Sequence, residues 1–256
     1  MRSATSERRQ RLLELVSGDE PNEIPELAMA LKVSESTVRR DLADLEAEGL
    51  ILRVIGGAVA RPADPSWRQK DRVNAAAKRR IGQAAAAQVE PGMLVFLDAG
   101  TTVAKAAEVL AGCADITLAT TSLPSLMVLA EGAAEVVVLG GVLHPRGGRL
   151  LGSMASQQLA RMTPDVAFLG ADSIDLVRGL SCPDMELQAM KSLTLENART
   201  TWVLLDNTKL TARHRHPYFV PLPTSVGLIT EAPVTASARE AIEAWRAAGH
   251  RVIEAD

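Results

Sequence analysis

The sequence predicts an α/β protein in two parts: a small helical head ending in a β-hairpin, and a larger domain of parallel strands alternating with helices. Three observations carry this. Residues 33–57 run a capped amphipathic helix into a short apolar strand and a Gly-Gly turn. Residues 60–65 hold two prolines, which forbid a continuous helix or central strand there. Beyond them, short apolar runs recur between helical segments and lack the polar alternation of a half-exposed strand. The expected organisation is a head over residues 1–60, a linker over 61–74 and an α/β domain over 75–256.

In the head, Glu7 to Val16 reads as a helix that opens with Arg8, Arg9 and Arg11 and buries Leu12, Leu13 and Val16. A second, shorter helix spans Ile24 to Leu31, with Pro25 tolerated in its first turn. Lys32, Val33 and Ser34 leave room only for a tight turn. Ser34 then sits where an N-cap belongs, and Val38, Leu42 and Leu45 recur at helical spacing as a buried face. Ser36, Thr37, Arg39 and Arg40 fall off that face. Gly49 is a natural C′ residue, Leu50-Ile51-Leu52 starts a strand, and Arg53 with Gly56-Gly57 completes a wing.

Three helices and a hairpin in about sixty residues make a winged helix-turn-helix, whose third helix enters the major groove with its first turns. Ser34, Ser36, Thr37, Arg39 and Arg40 are therefore expected at bases or phosphates of a double-stranded DNA operator, with Arg8, Arg9 and Arg53 on its backbone. One such head covers a half-site, so two copies are expected on DNA.

Composition neither demands nor forbids this. The chain has 256 residues, 47 % hydrophobic and 23 % charged, with only 3 % aromatic and a net charge of −3. Residues 1–52 hold seven basic against eleven acidic side chains, but from Arg53 to Arg80 there are eight basic residues against Asp64 and Asp71. Phosphate binding needs a local basic surface rather than a basic protein. No apolar run is long enough to span a membrane, and the Arg-rich N-terminus does not read as a secretory signal. Cys113 and Cys182, the two cysteines, fit a reducing cytoplasm better than a disulfide framework. No metal-ligand cluster surrounds them, and neither metal nor cofactor is expected. His214-Arg215-His216 reads as a solvated loop.

In the larger domain Ala75–Val89 is a helix and Pro91-Gly92 a turn. Strands are expected at Leu94–Leu97, Ile116–Ala119, Val136–Leu139, Val166–Leu169, Trp202–Leu205, Val226–Ile229 and Arg251–Ile253. Helices are expected near Val103–Leu110, Leu123–Ala130, Ala155–Met162, Met185–Ala198 and Ser237–Ala248. This is a Rossmann-like layout, in which ligands bind beyond the carboxyl ends of the strands. Asp98-Ala99-Gly100-Thr101-Thr102 follows the first strand. Its glycine permits a tight turn, its threonines bring hydroxyls and amides to a helix N-terminus suited to a phosphate, and Asp98 suits ligand hydroxyls. Thr120-Thr121-Ser122, Gly140-Gly141, Gly170-Ala171-Asp172 and Asp206-Asn207-Thr208-Lys209 are further strand-end loops. There Lys209 suits a phosphate, and Asp172 and Asp206 suit sugar hydroxyls.

In this order the motifs resemble those of the DeoR family of bacterial transcriptional regulators over nearly the full length. The resemblance rests on Val33–Leu42, Arg53 and Gly56-Gly57-Ala58 in the head. In the larger domain it rests on Lys78, Asp98–Thr102, Gly140-Gly141, Gly152 and Asp206–Lys209. It implies a repressor of carbohydrate-metabolism genes whose C-terminal domain is sugar-phosphate-isomerase-like and binds a phosphorylated sugar or related metabolite. It implies assembly as a dimer or tetramer through that domain. Its effector loop would be Asp98, Gly100, Thr101 and Thr102, supported by Lys78, Thr121, Gly141, Glu186, Lys191 and Lys209. The chain departs from the family pattern at Thr121, at Thr230-Glu231, and over Ser66–Arg72, where an acidic-aromatic segment is usual. The alternative is a sugar-phosphate isomerase with an appended helical domain. That reading leaves the DNA-reading head unexplained and finds none of the four histidines in a matching catalytic loop, so no catalytic residues are expected.

Overall fold

The computed structural model describes residues 8, 9, 11, 12, 15, 16, 22–47, 51–54, 57–60, 65–211 and 216–256. The chain divides into two compact units, Met1–Pro65 and Ser66–Asp256.

In the first unit, residues 8, 9, 11, 12 and 15 are helical. They are followed by β1 (Asn22–Glu23), α1 (Ile24–Leu31), α2 (Glu35–Ala47), β2 (Ile51–Val54) and β3 (Gly57–Ala60). Helix α1 starts with a proline in its first turn and stops at Lys32, which adopts the left-handed region (φ 54°) and returns its N–H to the Ala28 and Met29 carbonyls. Ser34 Oγ accepts a hydrogen bond from Thr37 N (3.2 Å), the expected cap of α2. Val38, Leu42 and Leu45 then pack on Leu12, Val16, Ile24, Leu27 and Ala28 as one buried core. Strands β2 and β3 form the antiparallel wing, with Val54 opposite Gly57. The short strand β1 joins β3 and gives the order β1-β3-β2. Two residues carry no periodicity, so this third strand was not legible in the sequence. Glu7, Leu13, Gly49, Leu50, Gly56 and residues 61–64 lie outside the described residues.

The second unit is a seven-stranded sheet built from β4 (Leu94–Leu97), β5 (Thr117–Thr120), β6 (Glu135–Val138), β9 (Val166–Leu169), β12 (Thr200–Leu204), β14 (Gly227–Glu231) and β15 (Val252–Ala255). Every neighbouring pair is parallel, in the order β15-β14-β12-β9-β4-β5-β6. The chain winds outward from β4 to one edge, returns to β9 beside β4, and winds to the other edge. The switch point therefore lies between β4 and β9, where ligands bind in such sheets. Helices cover both faces. Val95, Leu97, Phe168 and Leu204 pack with Ile81 and Leu110 on one side. Phe96, Leu169, Val203 and Leu228 pack with Ile242 and Trp245 on the other. Burial on both faces explains why these strands read as unbroken apolar runs.

Two smaller sheets were not expected. One is the hairpin β7 (Val142–His144) and β8 (Arg149–Leu151). The other is antiparallel and joins β10 (Ile174–Asp175), β11 (Gly179–Cys182) and β13 (Tyr218–Val220). Gly179 has φ 95°, and a Cβ there would collide with the Val220 carbonyl across the pair, so only glycine fits.

The linker expected through residue 74 ends earlier. Ser66 caps the short helix α3 (Trp67–Arg72) through a reciprocal box with Gln69. Trp67 N donates to Arg146 O at 2.9 Å, and Trp67 rests on Gly148, so α3 belongs to the second unit. Helix α4 (Ala75–Ala86) follows directly. No helix among the described residues is long and apolar enough to cross a membrane.

Candidate DNA-reading surface and effector site

Ser36, Arg39 and Arg40 are exposed in the first two turns of α2, and Thr37 is half-buried beside them. Ser34 Oγ lies 2.8 Å from both the Ser36 and the Thr37 hydroxyls. Arg39 reaches Glu35 at 3.3 Å across one turn, an exposed pair that a phosphate or base edge readily displaces. Arg53 lies in the wing with its backbone opposite Ala58; its side chain lies outside the described residues.

Arg8 and Arg9, expected on the DNA backbone, are instead committed within the head. Arg8 Nε and Nη2 donate to the two oxygens of Asp41 at 2.6 and 3.1 Å, and Arg9 reaches Asp41 at 3.5 Å and also bonds Asp44. Asp41 is 2 % exposed, on the inward side of the recognition helix. A buried carboxylate needs cations and hydrogen bonds, and these two arginines supply them. Burial pushes the Asp41 carboxyl up, but Arg8 and Arg9 outweigh it and hold it below the usual range. Asp41 was passed over in the sequence because it reads as one acid in an acidic run.

In the second unit the expected loops after β4 and β9 meet at the switch point. Asp98 follows β4 and is buried, accepting from Gly170 N at 3.1 Å and from Lys191 Nζ. Lys191, from helix α8 (Met185–Asn197), also donates to the Gly170 carbonyl. Asp98 and Lys191 are thus a buried ion pair, with side chains 4 and 3 % exposed. This corrects the expectation that Asp98 is free for ligand hydroxyls.

Gly100 precedes helix α5 (Thr101–Leu110) and gives it no side-chain cap, so its first amides have no capping side chain. Thr101 and Thr102 are buried there, and Thr102 Oγ1 has no hydrogen-bond partner among the described residues. Thr121 is buried after β5, with its carbonyl accepting from Leu150 N at 2.8 Å.

Lysines gather here: Lys70 and Lys191 act electrostatically on Lys209, and Lys209 and Lys105 on Lys78. Lys78 is buried on α4 and donates to the Lys70 carbonyl. Burial, together with Lys209, lowers its pKa to about 8. Burial likewise lowers the Lys209 pKa, Lys70 and Lys191 adding to the effect against Asp172 and Asp206. Asp172 takes two 2.9 Å bonds from Lys70 and lies 3.0 Å from His216 Nε2. Burial raises its pKa, but His216, Lys70 and Lys209 override that and keep it well below the carboxylate range.

Asp206 caps the short helix α9 (Asn207–Leu210) and accepts from Asn74 Nδ2 at 3.1 Å. Both oxygens of Glu231 accept from Asn207 N at 3.1 Å, so this acid, one of the departures from the family pattern, fixes the same loop.

Two expected residues stand apart from this cluster. Gly141 is exposed, and its missing side chain makes room for the Leu151 carbonyl of the hairpin rather than for a ligand. Glu186 is exposed in the first turn of α8 and lies 3.5 Å from His144. Two participants were missed. Lys70 sits in what read as linker, and its partner is 102 residues away. His216, expected in a solvated loop, is half-buried against Asp172; His214 and Arg215 lie outside the described residues.

A helix-turn-helix head joined to an α/β unit with lysines and buried hydroxyls near its switch point defines a class: transcriptional regulators with a sensor domain. A family model described as the DeoR-like helix-turn-helix domain matches residues 8–62, and one described as the DeoR C terminal sensor domain matches residues 73–231. The chain belongs to the DeoR family and is a DNA-binding transcriptional regulator.

Among curated relatives, the HTH-type transcriptional regulator GlpR of Haloferax volcanii is 35 % identical over 93 % of this chain and 94 % of its own length. The putative aga operon transcriptional repressor of Escherichia coli O157:H7 is 31 % identical over 84 % of this chain and 82 % of its own. The glycerol-3-phosphate regulon repressor of Escherichia coli K12 is 28 % identical over 80 and 82 %. Among solved structures, a ribose 5-phosphate isomerase A from Methanocaldococcus jannaschii matches with a TM-score of 0.40 at 20 % identity, over 53 % of this chain and 54 % of its own.

Proposed function

We propose that this protein represses carbohydrate-metabolism genes and is controlled by a phosphorylated sugar or related metabolite bound at the β4–β9 switch point. The observation that carries the reading is the uncapped start of α5. The buried Thr102 hydroxyl, without a partner among the described residues, lies in its first turn; Asp98, just ahead of that turn, pairs with Lys191, which Lys209 reaches electrostatically. Helix amides, hydroxyls and ammonium groups together suit a phosphate. The aspartates Asp172 and Asp206 suit the hydroxyls of an attached sugar. The relatives' names, an aga operon repressor and a glycerol-3-phosphate regulon repressor, support the same class of effector.

The protein binds this ligand without converting it. Asp98, the acid nearest the loop, is tied to Lys191 and Gly170 N, so it is poorly placed to move a carbon-bound proton. It works in the cytoplasm as a dimer or tetramer, because each head covers one half-site. Ser36, Thr37, Arg39 and Arg40 face the operator, with Arg53 on its backbone. Isothermal titration of the full chain with a panel of phosphorylated sugars and their unphosphorylated parents tests the effector. Binding restricted to phosphorylated compounds is expected, and equal binding of a parent sugar overturns the reading.

A further inference from the structure

Helix α3 is six residues long and buries no side chain. So short a helix does not persist alone, and its position rests on a few named contacts. Trp67 N donates to the Arg146 carbonyl, and the indole covers Gly148 so closely that a Cβ there would strike it. Asp71 pairs with Lys105 at 3.3 Å. Further contacts end in the candidate effector site. Lys70 holds both oxygens of Asp172, Lys78 holds the Lys70 carbonyl, and Asn74, just beyond α3, holds Asp206. The helix that opens the second unit, next in the chain to the linker from the head, is therefore latched by groups that an incoming anion would engage.

We infer that Lys70 is the residue through which the effector acts on α3: the anionic group of the ligand and Asp172 compete for the same ammonium. This rests on the proposed phosphate reading of the site. A phosphate offers three strong acceptor oxygens and up to two charges, more than the Asp172 carboxylate offers the Lys70 ammonium. The exchange does not orphan Asp172, because His216 stays 3.0 Å away as its second partner. Lys78 reinforces the effect, since any ligand that draws its ammonium off the Lys70 carbonyl removes a second tie on the same residue. Occupancy of the site thus takes Lys70 off Asp172 and loosens the contacts that hold α3 in its ligand-free position. Helix α3 thereby has two states, and the ligand shifts their balance only because its affinity for the two differs.

Amide hydrogen exchange on the full-length protein tests this, with inorganic phosphate as the probe. Peptides over residues 65–73 report the latch, residues 98–103 report the anion site, and residues 236–247 in the last helix report global folding. Asp172→Asn and Lys70→Gln, without ligand, are expected to raise exchange over 65–73 at least severalfold while leaving 236–247 unchanged. Phosphate is expected to protect 98–103 in the wild type and to raise exchange over 65–73. In Lys70→Gln it should protect 98–103 without further effect on 65–73. Protection of 98–103 with unchanged or slowed exchange over 65–73 keeps the anion site and overturns the role of Lys70. No change at 98–103 overturns the phosphate reading and this inference with it. Unaltered exchange over 65–73 in both variants shows there is no latch at Lys70.

Discussion

Replacing Asp41 by alanine should destabilise the head without disturbing the sensor unit. The carboxylate is buried on the recognition helix and receives two hydrogen bonds from Arg8 and one from Arg9. Removing one partner of a fully buried ion pair costs about 3–5 kcal/mol. Here the Arg8 and Arg9 side chains are 25 and 28 % exposed and regain water when Asp41 is lost, which lowers the cost to about 2 kcal/mol. For a domain this small, 1 kcal/mol moves the melting point by about 4–8 °C, so a fall of about 10 °C is expected. All three tryptophans, the tyrosine and the three phenylalanines lie in the second unit. Far-UV circular dichroism sees both units melt, whereas tryptophan fluorescence sees the sensor alone. The Asp41→Ala variant should bring forward part of the dichroism transition and leave the fluorescence transition in place. The carboxyl is held below its unfolded value, so its contribution is present at neutral pH and is lost as pH falls through the folded pKa. An Asp41→Ala head that melts with the wild type would refute the claim that these arginines serve the fold.

Arg39→Ala should weaken operator binding by about 1–3 kcal/mol if the guanidinium reads a base, measured by anisotropy at fixed salt; unchanged affinity removes it from the reading surface. Lys191→Ala leaves Asp98 buried without its cation and should destabilise the sensor unit by about 3–5 kcal/mol, visible in the fluorescence melt. Lys78, with its pKa near 8, gives opposite pH trends for two observables. Phosphate affinity should fall as pH rises through about 8, where the ammonium loses its proton. The ligand-free protein should gain stability between about 8 and the ordinary lysine value of 10.5, because there the unfolded chain binds the extra proton. Lys78→Met should flatten both curves.

Much of the architecture was readable because two strong patterns coincide with real burial. Val38, Leu42 and Leu45 recur at helical spacing because one face of α2 meets the head core. The runs at Leu94–Leu97 and Val166–Leu169 are unbroken because helices cover both faces of the sheet. The hairpin at Val142–Leu151 and the β10-β11-β13 sheet escaped because strands of two to four residues carry no period. Of the residues marked by motif, Asp98 meets Lys191, and Lys209 lies within electrostatic reach of Lys78 and Lys191. What motif does not convey is pairing across the fold. That Asp98 belongs to Lys191, that Arg8 belongs to Asp41 and that Lys70 belongs to Asp172 are facts of tertiary geometry. Each changes what the residue is available to do.

The most direct test of the whole account is fluorescence anisotropy of labelled DNA from upstream of the gene, titrated with the full-length protein, with and without phosphorylated sugars. Salt-sensitive binding that one phosphorylated sugar alters, and its unphosphorylated parent does not, is the expected result. Tight binding that no phosphorylated sugar changes would contradict the assigned effector and leave the DNA-reading head as the part of the account that stands.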